Sequence, residues 1–188
     1  MGHADTRAGR QGSGSPAYDG SVDTESLLAL VRFHAWANDR ILTTTAGLSD
    51  EQFRGAASLD HGSAFQTLRH LVDVDWSWRE ALLGNDVGDT YVWDHGFALD
   101  DLSAIHAFCL EEDVRLRAYV EAHDDAALAE SIELGPGFAR PRWLIVAHVA
   151  NHGTQHRSEL ARYLTECGHS PGELDLLDAL ELPWPSGA

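Results

Sequence analysis

Apolar residues recur at helical spacing along four long stretches of this chain, and no sustained apolar–polar alternation competes with them. A chain patterned in this way buries one stripe per helix and is expected to pack helix on helix. The first stretch runs from about Asp23 to Ala46 and carries Leu27, Leu30, Val31, Ile41 and Leu42. Asp23 or Thr24 supplies its N-cap and Gly47 its stop. Ser49 to Gln52 then reads as a capping box that opens a short helical turn. The second stretch, Ser63 to Leu83, opens on another box, Ser63 with Gln66. Its stripe is Phe65, Leu68, Val72, Trp76 and Leu83, and Gly84 ends it. Asn85 to Leu99 shows no period and reads as a long crossover. Asp100 caps the third stretch, which carries Leu102, Ile105, Cys109, Leu116 and Val120 to about His123. Ala127 to Leu134, before Gly135-Pro136-Gly137, reads as a short hairpin or an irregular loop. Pro141 suits the first position of the fourth stretch, which runs to about Cys167 and stops at Gly168. Ser170 to Glu173 forms a third capping box, for a short last helix before Pro183-Trp184-Pro185. The expected class is all-α: a four-helix bundle with a long crossover between its second and third helices.

A length of 188 residues suits one domain with a single core. Residues 1–20, rich in Gly, Ser, Ala and Arg, read as a flexible tail without the apolar segment of a secretory signal. Residues 21–188 are then the bundle domain. Thirty acidic residues face thirteen basic ones, all arginine, for a net charge of −17. Such a balance argues against a nucleic-acid partner, which requires a basic face. No apolar run approaches the ~20 residues that span a bilayer, so no membrane partner is expected. Cys109 and Cys167 show no C-x-x-C spacing and read as buried free thiols of a cytoplasmic protein.

The chemistry lies in the histidines. The fourth stretch contains His148, His152 and His156, spaced i, i+4 and i+8 along one helix face. That face also carries Ile145, Val149, Leu160 and Tyr163, so the rings point inward or to a pocket edge. Three imidazoles on one inward stripe each need hydrogen-bond partners, and polar core packing is one way to supply them. The other is a divalent cation, since an i/i+4 histidine pair is a workable bidentate site. No H-E-x-x-H occurs, which disfavours a zincin protease. The outer two histidines are ~12 Å apart by helix rise, so a third ligand is expected from another helix. His70 is the best candidate, with Asp73 and Ser77 beside it as a polar strip; on its own it reads equally as a solvated surface histidine. His34 and Asn38 interrupt the inward stripe of the first stretch; they line the same pocket, as wall or support for the ligands, or form a hydrogen-bonded core pair, and the first is favoured.

These segments resemble a known family. Phe33 to Leu42, Ser63 to Trp76, and His148 to Arg157 look like the corresponding segments of the DinB/YfiT-like metalloenzymes. The closing segment Leu164 to Asp175, with Gly168, Pro171 and Leu174, is similar too. The resemblance implies an up-down-down-up four-helix bundle, commonly dimeric, that holds a divalent metal through one histidine of helix two and two of helix four. Matched position by position, the implied ligands are His70, His152 and His156. His148 then falls one turn outside the ligand set, although spacing alone treats the pairs His148/His152 and His152/His156 alike. The family commonly follows its last ligand with Arg-Gly-Gln, whereas this chain has Arg157-Ser158-Glu159. Glu159 therefore stands where a neutral amide is usual, able to orient His156 or to add negative charge. Arg157 reads as a surface arginine or a local anchor for a carboxylate.

Two functions follow from the implied site. Three neutral imidazoles leave a divalent ion its full charge and open positions, which lowers the pKa of a water or thiol held there. The family resemblance implies thiol-dependent transferases, in which a low-molecular-weight thiol such as bacillithiol or mycothiol adds to an electrophilic small-molecule substrate; hydrolysis is a variant. The alternative is a non-catalytic metal-binding or stress-related protein on the same bundle. A general base would come from Asp73, Glu159 or His148. The metal, among Zn, Ni, Fe, Co and Mn, is not fixed by a three-histidine set.

Overall fold

The computed structural model describes residues 22–179. The expected tail over 1–20 and the Pro183-Trp184-Pro185 end lie outside the described residues. Helix α1 (Thr24–Thr45) starts at Asp23, whose side chain accepts from the Ser26 amide. The short α2 (Asp50–Arg54) is opened by the complete Ser49–Gln52 capping box. Helix α3 (Ala64–Leu82) begins at Ser63, which accepts from the Gln66 amide. A 3₁₀ turn, Val92–His95, breaks the crossover before α4 (Leu102–Glu121). Helix α5 (Asp125–Ala129) and strands β1 (Ser131–Glu133) and β2 (Ala139–Pro141) precede the longest helix, α6 (Arg142–Glu166). Helix α7 (Leu176–Ala179) closes the described chain. The fold is thus mostly helical with a small antiparallel hairpin, in which Ile132 pairs with Arg140.

Several local expectations shift. Asp101, not Asp100, caps α4 by accepting from Ala104, while the Asp100 carbonyl receives Arg54. Pro141 stands one residue earlier than expected, at the N-cap of α6. Leu83 is 55 % exposed and Leu82 is the buried residue, because α3 ends in the turn closed by Gly84 at φ +82°. The Ser170–Glu173 box does not form. Residues 170–175 stay irregular, and the Asp175 side chain accepts from the Leu177 amide as α7 begins.

Helix α1 packs against α4 and α6, and α3 packs against the same two helices. Their buried faces form two apolar clusters. One holds Ile41, Leu42, Leu68, Val72, Ile105, Leu160 and Leu164. The other holds Leu27, Val31, Leu82, Leu116, Val120, Ile145 and Val149. Along each long helix a polar layer falls between the two clusters: His34 and Asn38 on α1, Asp75 and Arg79 on α3, Glu112 and Asp113 on α4, Arg157 on α6, all buried. A shift of one helix against another would leave these groups facing hydrocarbon, so the layer fixes the mutual register.

Candidate metal centre

Imidazoles gather where α3 faces α6. The Nε2 atom of His152 lies 3.1 Å from Nε2 of His70 and 3.2 Å from Nε2 of His156. Ring centroids of the three pairs are 4.6 to 5.0 Å apart. Each neutral Nε2 carries either one proton or one lone pair. Proton sharing therefore satisfies His152 toward one neighbour and leaves the other contact uncompensated. A cation receiving all three lone pairs removes the conflict. Two nitrogens bound at the usual Zn–N length are about 3.0–3.4 Å apart for octahedral or tetrahedral angles, which matches these separations. The two nitrogen contacts about His152 therefore suit a shared divalent ion. Burial, followed by the proximity of His156, pushes the pKa of His152 down to about 4, so its ring is neutral at pH 7.

Sequence reasoning missed a fourth ring. His61, on the loop two residues before Ser63, the N-cap of α3, stacks on His70 with centroids 3.9 Å apart and lies 5.0 Å from the ring of His156. Nitrogens of His61, His70 and His156 all fall within 4.8 Å of one another. The loop carrying His61 is tied to α6 near His156, since Arg162 donates to the Ser58 carbonyl at 2.7 Å and Asp60 bonds to Glu159. The loop has no periodicity, so only its proximity to the Ser63 cap would have pointed to it.

The remaining candidates separate. His148 lies one turn away, its ring 6.1 Å from that of His152 and edge-on to Trp78 at 5.2 Å. Glu159 places a carboxylate oxygen 3.6 Å from Nδ1 of His156. Asp73 accepts from the Val92 amide at 2.7 Å, which ties α3 to the 3₁₀ turn of the crossover. His34 and Asn38 form the hydrogen-bonded core pair, the second of the two expectations, 2.9 Å apart and buried. They belong to the polar layer, where Asp75 lies 3.1 Å from Nε2 of His34 and Asn38 donates to Asp113.

Arg157 is not a surface residue. It is 1 % exposed and donates to Asn38 Oδ1 at 2.7 Å and to Nδ1 of His34 at 3.1 Å. Burial lowers its pKa to about 10, which still leaves it charged. Gly153, between two of the clustered histidines, explains how this fits: a Cβ there would run into the Arg157 guanidinium and come within 2.9 Å of the His34 ring. The buried His34, Asp75 and Asp113 side chains are also close enough to hold an ion. Arg157, however, already sets a full positive charge against them.

The DinB family profile matches residues 22–185. The chain belongs to the DinB family. The match takes in every described helix, so the imidazole cluster and the polar layer both lie within the DinB region. No curated protein matches the chain.

Proposed function

We propose that this DinB protein holds one divalent metal ion through His70, His152 and His156 and uses it in a thiol S-transferase type of reaction. The observation that carries the reading is the pair of Nε2 separations about His152, 3.1 and 3.2 Å, which proton sharing alone cannot satisfy. When bound, such an ion supplies a positive charge that favours the anionic form of a thiol or water near neutral pH. The protein's own part is to keep the rings neutral by burial and to hold two of them on one helix turn. Glu159, facing Nδ1 of His156, orients that ring.

The reading includes an up-down-down-up path for α1, α3, α4 and α6. It is supported by the order of the clusters along the helices. Helices α1 and α6 run from the Leu27 and Ile145 cluster to the Ile41 and Leu160 cluster, whereas α3 and α4 run the other way.

A second reading, a non-catalytic ion-binding protein, is favoured by His61, whose ring crowds the side of His70 and His156. One experiment separates the two. Elemental analysis of the purified protein identifies the ion, and addition of a small thiol to an electrophile is followed with and without it. Metal-dependent turnover that disappears in His152→Ala supports the transferase. Stoichiometric metal with no turnover for a panel of thiols and electrophiles supports the non-catalytic reading.

A further inference from the structure

A pocket of about 420 Å³ opens beside His148, lined by Trp78, Leu134, Phe138, Arg140 and Ile145 among others. Its volume falls in the range of small-molecule sites, and its walls are mostly apolar with few polar groups, as such sites usually are. It lies on the same α3–α6 seam as the imidazole cluster. His148 is four residues, about 6 Å of helix rise, before His152, and Trp78 is eight residues beyond His70.

Among the described lining residues, the hairpin supplies the one arginine. Arg140, on β2, has its guanidinium carbon 4.2 Å above the Phe138 ring, and Nη1 donates to the Ala139 carbonyl at 2.7 Å. Arg54, Arg79, Arg115, Arg117, Arg142 and Arg162 each face a carboxylate within 4.0 Å. Arg140 has no such ion pair among the described residues. In a chain with thirty acidic groups and a net charge of −17, a half-buried arginine beside an apolar pocket and without a carboxylate partner is a place where an anion can bind.

We propose that this pocket is the substrate site and takes a small organic monocarboxylate. Its aromatic or alkyl body lies against Trp78, Phe138, Leu134 and Ile145, its carboxylate meets Arg140, and the far end of the molecule reaches His148, one turn from the ligand His152. The substrate role rests on the metal-centre reading above; the binding of the carboxylate does not. The His148 ring stands between the pocket and the cluster, edge-on to Trp78 and 6.1 Å from the ring of His152.

The test is calorimetric titration of the full chain with 3-phenylpropanoate and, separately, with its uncharged amide, each in metal-free and zinc-loaded protein. Zinc binding is titrated in the same preparations. The acid should bind at least tenfold more tightly than the amide. Arg140→Gln should level the two, and Arg140→Lys should restore part of the preference, with circular dichroism and melting showing that both variants fold. Leu134→Trp, which fills the pocket and leaves Arg140 in place, should weaken acid and amide together. Equal affinity for acid and amide in the wild type, an acid preference that survives Arg140→Gln, or no binding of either compound would each overturn the proposal, and zinc titration shows separately whether the metal centre stands. If the acid binds as expected and zinc does not, the pocket stands and the metal-centre reading fails.

Discussion

Nδ1 of His156 faces a carboxylate oxygen of Glu159 across 3.6 Å, and neither atom has a hydrogen-bond partner among the described residues. Histidines that ligate through Nε2 usually donate their other N–H to such an acceptor. Burial raises the pKa of Glu159, with the hydrogen bond from its side chain to Asp60 adding to the shift. Glu159→Ala should therefore weaken metal binding by about 10–100-fold, and Glu159→Gln, which keeps an acceptor, should lose less. Competition against a chromophoric chelator measures both. Unchanged affinity in Glu159→Ala would remove Glu159 from the centre.

Gly153→Ala sets two effects against each other. Alanine in a helix interior gains about 1 kcal/mol over glycine. Here the added methyl would meet the Arg157 guanidinium and the His34 ring, both buried. Overpacking of this kind costs about 1–3 kcal/mol, so the variant should be less stable than the wild type in urea unfolding. A gain in stability would show that the polar layer relaxes freely.

Burial holds the Asp113 carboxyl up at about 7, with Asp75 adding to the shift and His34 opposing it. In the unfolded chain the group ionises near 3.8. Folding therefore takes up a proton between those pH values. The stability this group contributes is complete below the unfolded pKa and is lost as pH rises through about 7. Asp113→Asn stays neutral throughout. Relative to that variant, metal-free wild type should lose on the order of 2–3 kcal/mol between pH 5 and 7. Urea unfolding at the two pH values reads the difference, and a constant gap would contradict it.

His61→Ala removes the ring stacked on His70 without touching either helix. Loss of this neighbour should weaken metal binding by about tenfold while leaving the melting temperature of metal-free protein nearly unchanged. A fall in stability of metal-free protein equal to that of a core truncation would make His61 a structural residue instead.

The long helices were legible because their stripes repeat: Leu27 with Val31, Leu68 with Val72, and Leu116 with Val120 are all buried. The cluster of His70, His152 and His156 was legible through spacing on one helix together with family resemblance. What escaped has common physical causes. His61 sits on a loop, where no period marks the direction of a side chain. Arg157 looked like surface because arginine usually is; its burial depends on Asn38 and His34, more than a hundred residues away in sequence. Asp73 looked like a neighbour of the metal because i and i+3 share a helix face, but spacing along α3 could not show that its carboxylate accepts from the Val92 amide of the crossover. The hairpin of β1 and β2 is three residues per strand, too short for alternation to register.

The central claim is that His70, His152 and His156 hold one ion, and cobalt titration of metal-free wild type, His152→Ala, His148→Ala and Asp75→Asn tests it most directly. The wild type and His148→Ala should bind one equivalent with visible ligand-field bands, Asp75→Asn should bind as well wherever it folds, and His152→Ala should bind none tightly. Tight binding retained in His152→Ala, or lost in Asp75→Asn with its fold intact, would place the ion in the polar layer of His34, Asp75 and Asp113 and contradict the account.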